Sequence, residues 1–129
     1  EATICLLSAL EMHGLTDEIP QTLDLAIPRG MRLPAGFEHV TWHHFAPETF
    51  EIGREPYEVT SIGHLGVYDA PRTIVDLFRL RYREGSDLAY GALKTWLRRR
   101  ESQPSDLLMI SRHFPQAHRE IQHALEIML

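Results

Sequence analysis

The sequence predicts an α+β fold in which a sheet of about four strands, antiparallel or mixed, follows an N-terminal helix and precedes a helical C-terminal half. Three observations predict it. Short apolar runs with a period of two, broken by Pro and Gly, fill residues 21–68. Apolar spacings of three and four dominate residues 71–128. The two regimes meet in Val67 to Arg83, VYDAPRTIVDLFRLRYR, where a β-type run passes through a proline into a patterned helix.

That junction is legible from local chemistry. Pro71 supplies a helical φ and lacks an N–H that the first turn could not use, while Ala70, ahead of proline, is pushed out of the α region. Asp69 stands where a carboxylate meets the free N–H groups and the positive end of a helix. Ile74, Leu77, Phe78 and Tyr82 then mark one buried face. Arg72, Asp76, Arg79 and Arg83 fall on another, which gives Asp76 an arginine one turn to either side.

The remaining elements follow in order. TICLLSALEMH, residues 3–13, predicts a mostly apolar helix, with Gly14 as a left-handed terminator. Gln21 to Ile27 alternates Leu23, Leu25 and Ile27 with Thr22, Asp24 and Ala26 as a strand with one face inward. Pro28, Gly30 and Pro34 punctuate a loop carrying Arg29 and Arg32, and His39 to Phe45 predicts a second strand. Ala46 to Gly53 predicts a single helical turn. Arg54 to Ser61 and Leu65 to Tyr68 predict two strands joined by an Ile62-Gly63-His64 turn. Beyond Gly85 a helix starts at Ser86 or Asp87, with Ala89, Leu93, Trp96 and Leu97 inward. A short helix from Pro104 to about His113 and a last one from Pro115, with Ile121, Leu125 and Met128 inward, complete the chain.

The length of 129 residues suits one domain with its own core. The sequence holds no apolar run near the roughly 18 residues of a membrane span, and Cys5, the only cysteine, excludes a disulfide framework and a Cys-based zinc site. A reducing cytoplasm is the expected setting. The chain opens at Glu1 without a methionine or a signal peptide and reads as cut from something longer.

Charge is spread unevenly within a net −5. Residues 1–71 hold three arginines against eleven acids, residues 72–100 eight Lys and Arg against three acids, and residues 101–129 two arginines against four acids. The basic middle is where a polyanion would bind, which makes Arg83, Lys94, Arg98, Arg99 and Arg100 candidate auxiliary nucleic-acid contacts. The competing reading is a set of solvated helix faces on an acidic domain.

No catalytic, metal or cofactor constellation emerges. His43, His44 and His64 beside Asp69 or Asp76 invite a metal, but adjacent strand residues face opposite ways, and HExxH, His-x-His and paired Cys are all lacking. Cys5 and Ser8 read as helix core and small packing residue. IPRGMRLP offers Arg29, Arg32 and the Gly30 backbone to an anion or to a partner. Asp76 reads as a salt bridge that locks the helix, with a partner-binding role for the Arg72/Asp76/Arg79 face as the functional alternative. A helix-turn-helix over residues 87–113 is opposed by Leu107, Leu108, Met109 and Ile110, a buried rather than groove-reading face.

ICLLSALEMHGL (Ile4 to Leu15), LDLAIPRGMRLP (Leu23 to Pro34) and VYDAPRTIVDLFRLR (Val67 to Arg81), in this order and spacing, resemble the AbiEi family of antitoxins of type IV toxin–antitoxin and phage-abortive-infection systems. The most specific piece is P-x-T-x-x-D, here Pro71, Thr73 and Asp76. The sequence departs from the family in carrying Asp69-Ala70 before the proline. The resemblance implies that this is the C-terminal antitoxin domain of a longer regulator, with an N-terminal winged helix-turn-helix lying before Glu1. It implies a cognate toxin similar to nucleotidyltransferases, antagonised without a lasting complex, and operator DNA bound through the full-length protein to repress its own operon. It is compatible with self-association and carries over no catalytic residues. Two other readings stand beside it: a metal-dependent hydrolase or nuclease-like domain using Asp69, Asp76 and a histidine with a divalent ion, which convergence with Asp24 or Glu58 in one cleft would support, and an effector-binding domain of a transcription regulator.

Overall fold

The computed structural model describes residues 2–59 and 63–129. Within them the fold is α+β, a mixed five-stranded sheet with six helices. The strands are β1 (Thr3–Ile4), β2 (Leu23–Pro28), β3 (Val40–Phe45), β4 (Arg54–Val59) and β5 (Gly63–Tyr68). Their order across the sheet is β3-β2-β1-β5-β4, with β2–β3 and β1–β5 parallel and the other two pairs antiparallel. The helices are α1 (Leu6–Met12), α2 (Ala70–Arg79), α3 (Arg81–Glu84), α4 (Ser86–Leu97), α5 (Pro104–Ser111) and α6 (Pro115–Met128), and Pro47–Thr49 forms one 3-10 turn.

The fifth strand is the one the sequence hides. Thr3 and Ile4, expected inside the first helix, instead form the central strand, pairing with Ala26 and Leu25 on one side and Gly66 and Val67 on the other. Two residues give too short a run for an alternation to show. The chain turns from β1 into α1 at Leu6, which takes φ +50 and is fully buried. Helix α1 ends as expected, with Gly14 at φ +69 and the Leu15 N–H donating back to Leu10 O over 3.0 Å.

Central strands bury both faces and edge strands do not. In β2, Leu25, Ala26 and Ile27 are all buried, whereas the edge strand β4 exposes Glu55, Pro56, Tyr57 and Glu58 and there tolerates a proline. On one sheet face Ile4, Leu25 and Val67 stand in register and, with Leu65, form a small cluster beside Phe37 and Trp42, whose rings meet edge to face at 5.7 Å. The other face carries Ala26, Phe45 and Tyr68 into the main core shared with the helices. The expected strand end at Ser61 and the first turn residue, Ile62, lie outside the described residues. Gly63 and His64, expected in that turn, belong to β5.

Helix α2 is the pivot of this core, packing against α1, α4, α5 and α6. Every residue from Arg72 to Phe78 is buried. The face that carries Arg72 and Asp76 is therefore covered as well as the apolar one, by Phe45, Tyr68, Phe114 and the chain at Thr49 and Ile52. The expected apolar stripe also stops early. Leu80, at φ −109, ends α2, and the short α3 restarts the chain in a new direction. Tyr82 consequently leaves the core and is 90% exposed, and Arg83 leaves the line of Arg72, Asp76 and Arg79.

Candidate functional site

The residues of the P-x-T-x-x-D motif lie along α2, from its first turn to Asp76. Pro71 lies in the first turn, and the Asp69 carboxylate caps the helix by accepting the Arg72 N–H over 2.8 Å. Thr73 Oγ1 donates to Tyr68 O over 3.3 Å, folding the helix start back on the end of β5. Burial raises the Asp69 pKa above the ordinary carboxylate value, against the lowering effect of its bond from the Arg72 backbone.

Arg72 and Asp76 form an ion pair of 3.0 Å, Nε to Oδ1, with both side chains fully buried, and Arg79 Nε adds a 2.8 Å contact to the same oxygen. The sequence spacing foretold both contacts. It did not foretell how Arg72 is housed. Its Nη1 donates to Thr49 O over 2.7 Å and Ile52 O over 2.8 Å, which ties the chain between β3 and β4 to the helix. Its guanidinium lies 4.1 Å from the centre of the Tyr68 ring and 4.8 Å from that of Phe114. Arg79 stacks on Phe45 at 4.4 Å. Three rings from three distant parts of the chain thus replace the hydration that the buried Arg72 and the half-buried Arg79 lose. Among the described residues, Arg72 Nη2 and Asp76 Oδ2 are buried without a hydrogen-bond partner. Burial also holds the Tyr68 phenol protonated far above its ordinary range, despite the nearby Arg72 charge, and its OH donates to Phe50 O over 2.7 Å.

One cleft adjoins this cluster. It has a volume of about 420 Å³ and is lined by Arg29, Thr49, Arg79, His113, Phe114 and Gln116 among others, with no acidic residue in its wall among the described residues. Arg29, expected on the loop after β2, and Arg79, expected on α2, are brought together there. Arg32 is exposed and lies outside the cleft wall. The contribution of residues 113–116, at the α5–α6 junction, had no signal in the sequence.

The other basic candidates divide. Lys94, Arg98 and Arg100 are exposed, whereas Arg99 Nη2 donates to His13 O over 2.6 Å and to Gly14 O over 3.0 Å, closing the C-terminal end of α1. Arg83 bonds Glu84 at 2.8 Å and reaches His43 Nδ1 at 3.2 Å. An arginine only donates, so His43 Nδ1 accepts, Nε2 carries the ring proton, and that proton goes to Asp24 Oδ1 at 2.9 Å. Ser8 completes this network. Its Oγ donates to Asp24 Oδ2 over 3.2 Å and accepts the Asp24 N–H over 2.8 Å, a polar role in place of the expected packing one. Asp24 stands between the serine and the histidine, so the three do not form a relay from His to Ser. Cys5 is wholly buried, and burial pushes its thiol well above the ordinary value.

Among the described residues no three His, Cys, Asp or Glu side chains are grouped to hold a metal ion, and no helix is long and apolar enough to cross a membrane. No family model and no curated protein matches the chain.

Proposed function

We propose that this chain is a non-enzymatic, cytoplasmic antitoxin domain of AbiEi type, acting in a longer transcriptional regulator to antagonise a nucleotidyltransferase-like toxin. The regulator binds operator DNA through its own DNA-binding domain and represses its operon. The observation that carries this reading is the setting of Asp76. Its carboxylate is held between Arg72 and Arg79, in a motif whose other members, Pro71 and Thr73, also serve the join between β5 and α2. A motif spent on internal contacts fits a family mark that is structural, and a carboxylate doubly bonded to arginines is a poor metal ligand or general base. The test is co-expression of the chain with the toxin encoded beside it, with cell survival as the readout. Survival is expected. Death despite a folded, soluble chain would overturn the proposal.

A second reading, an effector-binding domain of a transcription regulator, is favoured by the cleft of about 420 Å³, a volume within the range of small-molecule sites. Operator affinity that changes with a small ligand would favour it.

A further inference from the structure

We propose that the cleft between Arg29 and Arg79 binds the phosphoryl group of a small phosphomonoester. The inference is independent of the antitoxin reading and begins with charge. In a chain of net −5, the cleft wall contains two arginines and a histidine and, among the described residues, no acid. Asp76 offsets one charge only, because Arg72 and Arg79 share its single carboxylate. Arg29 adds a charge with no carboxylate within salt-bridge distance among the described residues. A positive potential in a walled cleft is the condition for anion capture.

Unused donors are the second observation. Arg79 commits only Nε to Asp76, and among the described residues its two terminal amino groups make no further hydrogen bond. Arg29 is anchored through its backbone, N–H to Phe45 O at 2.9 Å, which leaves its guanidinium uncommitted among those residues. Helix α6, fourteen residues long, starts at the cleft with Phe114 as an N-cap that makes no side-chain cap bond. Its first backbone bond runs from His118 to Phe114, so the N–H groups of Gln116 and Ala117 have no partner within the helix. Behind the wall sits the fully buried Arg72, with Nη2 unpartnered, Nη1 on Thr49 O and its guanidinium against the Phe114 ring; Thr49 and Phe114 both line the cleft.

The chemical class follows from the number of donors. Two guanidiniums, the Gln116 backbone N–H and the Gln116 side-chain amide exceed what the two oxygens of a carboxylate accept in the plane, but match the three terminal oxygens of a phosphomonoester. The volume leaves room for an organic group beside the phosphate, with Phe114 and Pro115 as apolar wall.

The test is amide NMR of the chain titrated with inorganic phosphate, adenosine monophosphate, adenosine and acetate. Saturable shifts at Gln116 and Ala117 are expected with the two phosphates and not with adenosine or acetate. Arg29→Gln, a change to an exposed side chain, is expected to weaken binding about tenfold, while Arg98→Gln, outside the cleft, leaves it unchanged. Shifts that fail to saturate, an equal response to acetate, or affinity untouched by Arg29→Gln in a folded variant would overturn the site. Tighter binding of a 5′-phosphorylated oligonucleotide than of adenosine monophosphate would overturn the small-molecule assignment and give the cleft to a nucleic-acid end.

Discussion

Arg72 and Asp76, one helical turn apart on α2, are joined at 3.0 Å with neither side chain exposed to solvent. A pair so placed gains little over a well-packed apolar pair, because desolvation consumes most of the attraction, but breaking it strands a buried charge. Asp76→Leu is therefore expected to destabilise the fold by about 3–5 kcal/mol. The double variant Arg72→Met/Asp76→Leu should regain most of that loss, since Arg79 is partly exposed and can turn to water. Urea-unfolding midpoints of the single and double variants measure the difference. Equal losses in both would mean that packing, and not the orphaned charge, sets the cost.

Gly53 lets Arg72 take this position. A Cβ on Gly53 would stand 2.6 Å from the Arg72 Cβ, and the residue holds φ +75. Its carbonyl also accepts the Asp69 N–H over 2.8 Å, so the backbone is not free to move away. Gly36, at φ +90 with open space around it, supplies the control. Gly36→Ala should cost about 1 kcal/mol for the left-handed conformation alone, and Gly53→Ala about 2 kcal/mol more for the overlap. Thermal melts of the two variants compare them, and equal shifts would separate Gly53 from the support of Arg72.

Asp69 supplies a pH dependence with a definite sign. Its pKa is raised in the folded state, chiefly by burial, so the folded protein holds the proton more tightly than the unfolded chain. The favourable contribution is fully present below the unfolded pKa and is lost as pH rises through the folded one. Asp69→Asn keeps an oxygen to accept the Arg72 N–H while removing the charge, and Asp69→Ala removes the cap. At neutral pH the Asn variant should match or exceed the native stability, and the Ala variant should lose about 1 kcal/mol. On acidification the native protein should gain on the Asn variant. Unfolding curves at acidic and neutral pH decide it, and a native protein that falls behind the Asn variant in acid would reverse the sign.

These residues also mark how far the sequence could be read. The ion pairs of Asp76 and the Asp69 cap depend on spacing along one helix, so they are visible in a linear pattern. The burial of Arg72 is set by Phe45 on β3, Tyr68 on β5 and Phe114 at the α5–α6 junction, far apart in the chain, and no local pattern encodes that meeting. Arg29 and Arg79 were each identifiable alone, but their shared cleft depends on where the α5–α6 junction packs. Thr3 and Ile4 read as helix because an apolar run continues through them into α1. Only the pairing of β1 between β2 and β5 distinguishes them as a strand.

Arg98, Arg99 and Arg100 are consecutive in sequence and separate in structure. Arg99 is spent on the carbonyls of His13 and Gly14, where it satisfies acceptors that the end of α1 leaves open. Arg98 and Arg100 are exposed, as is Lys94 one turn before Arg98. If this surface assists DNA binding in the longer regulator, Arg98→Gln and Arg100→Gln should each weaken binding at every sequence and lower the slope of log K against log salt by about one. Arg99→Gln should instead lower the melting temperature and leave the salt slope as it was. Binding isotherms at several salt concentrations, with melts on the same variants, separate the two roles. A slope unchanged in the Arg98 and Arg100 variants would assign those side chains to solvent or to a protein partner, and a slope reduced by Arg99→Gln without loss of stability would show that its contacts at α1 yield to DNA.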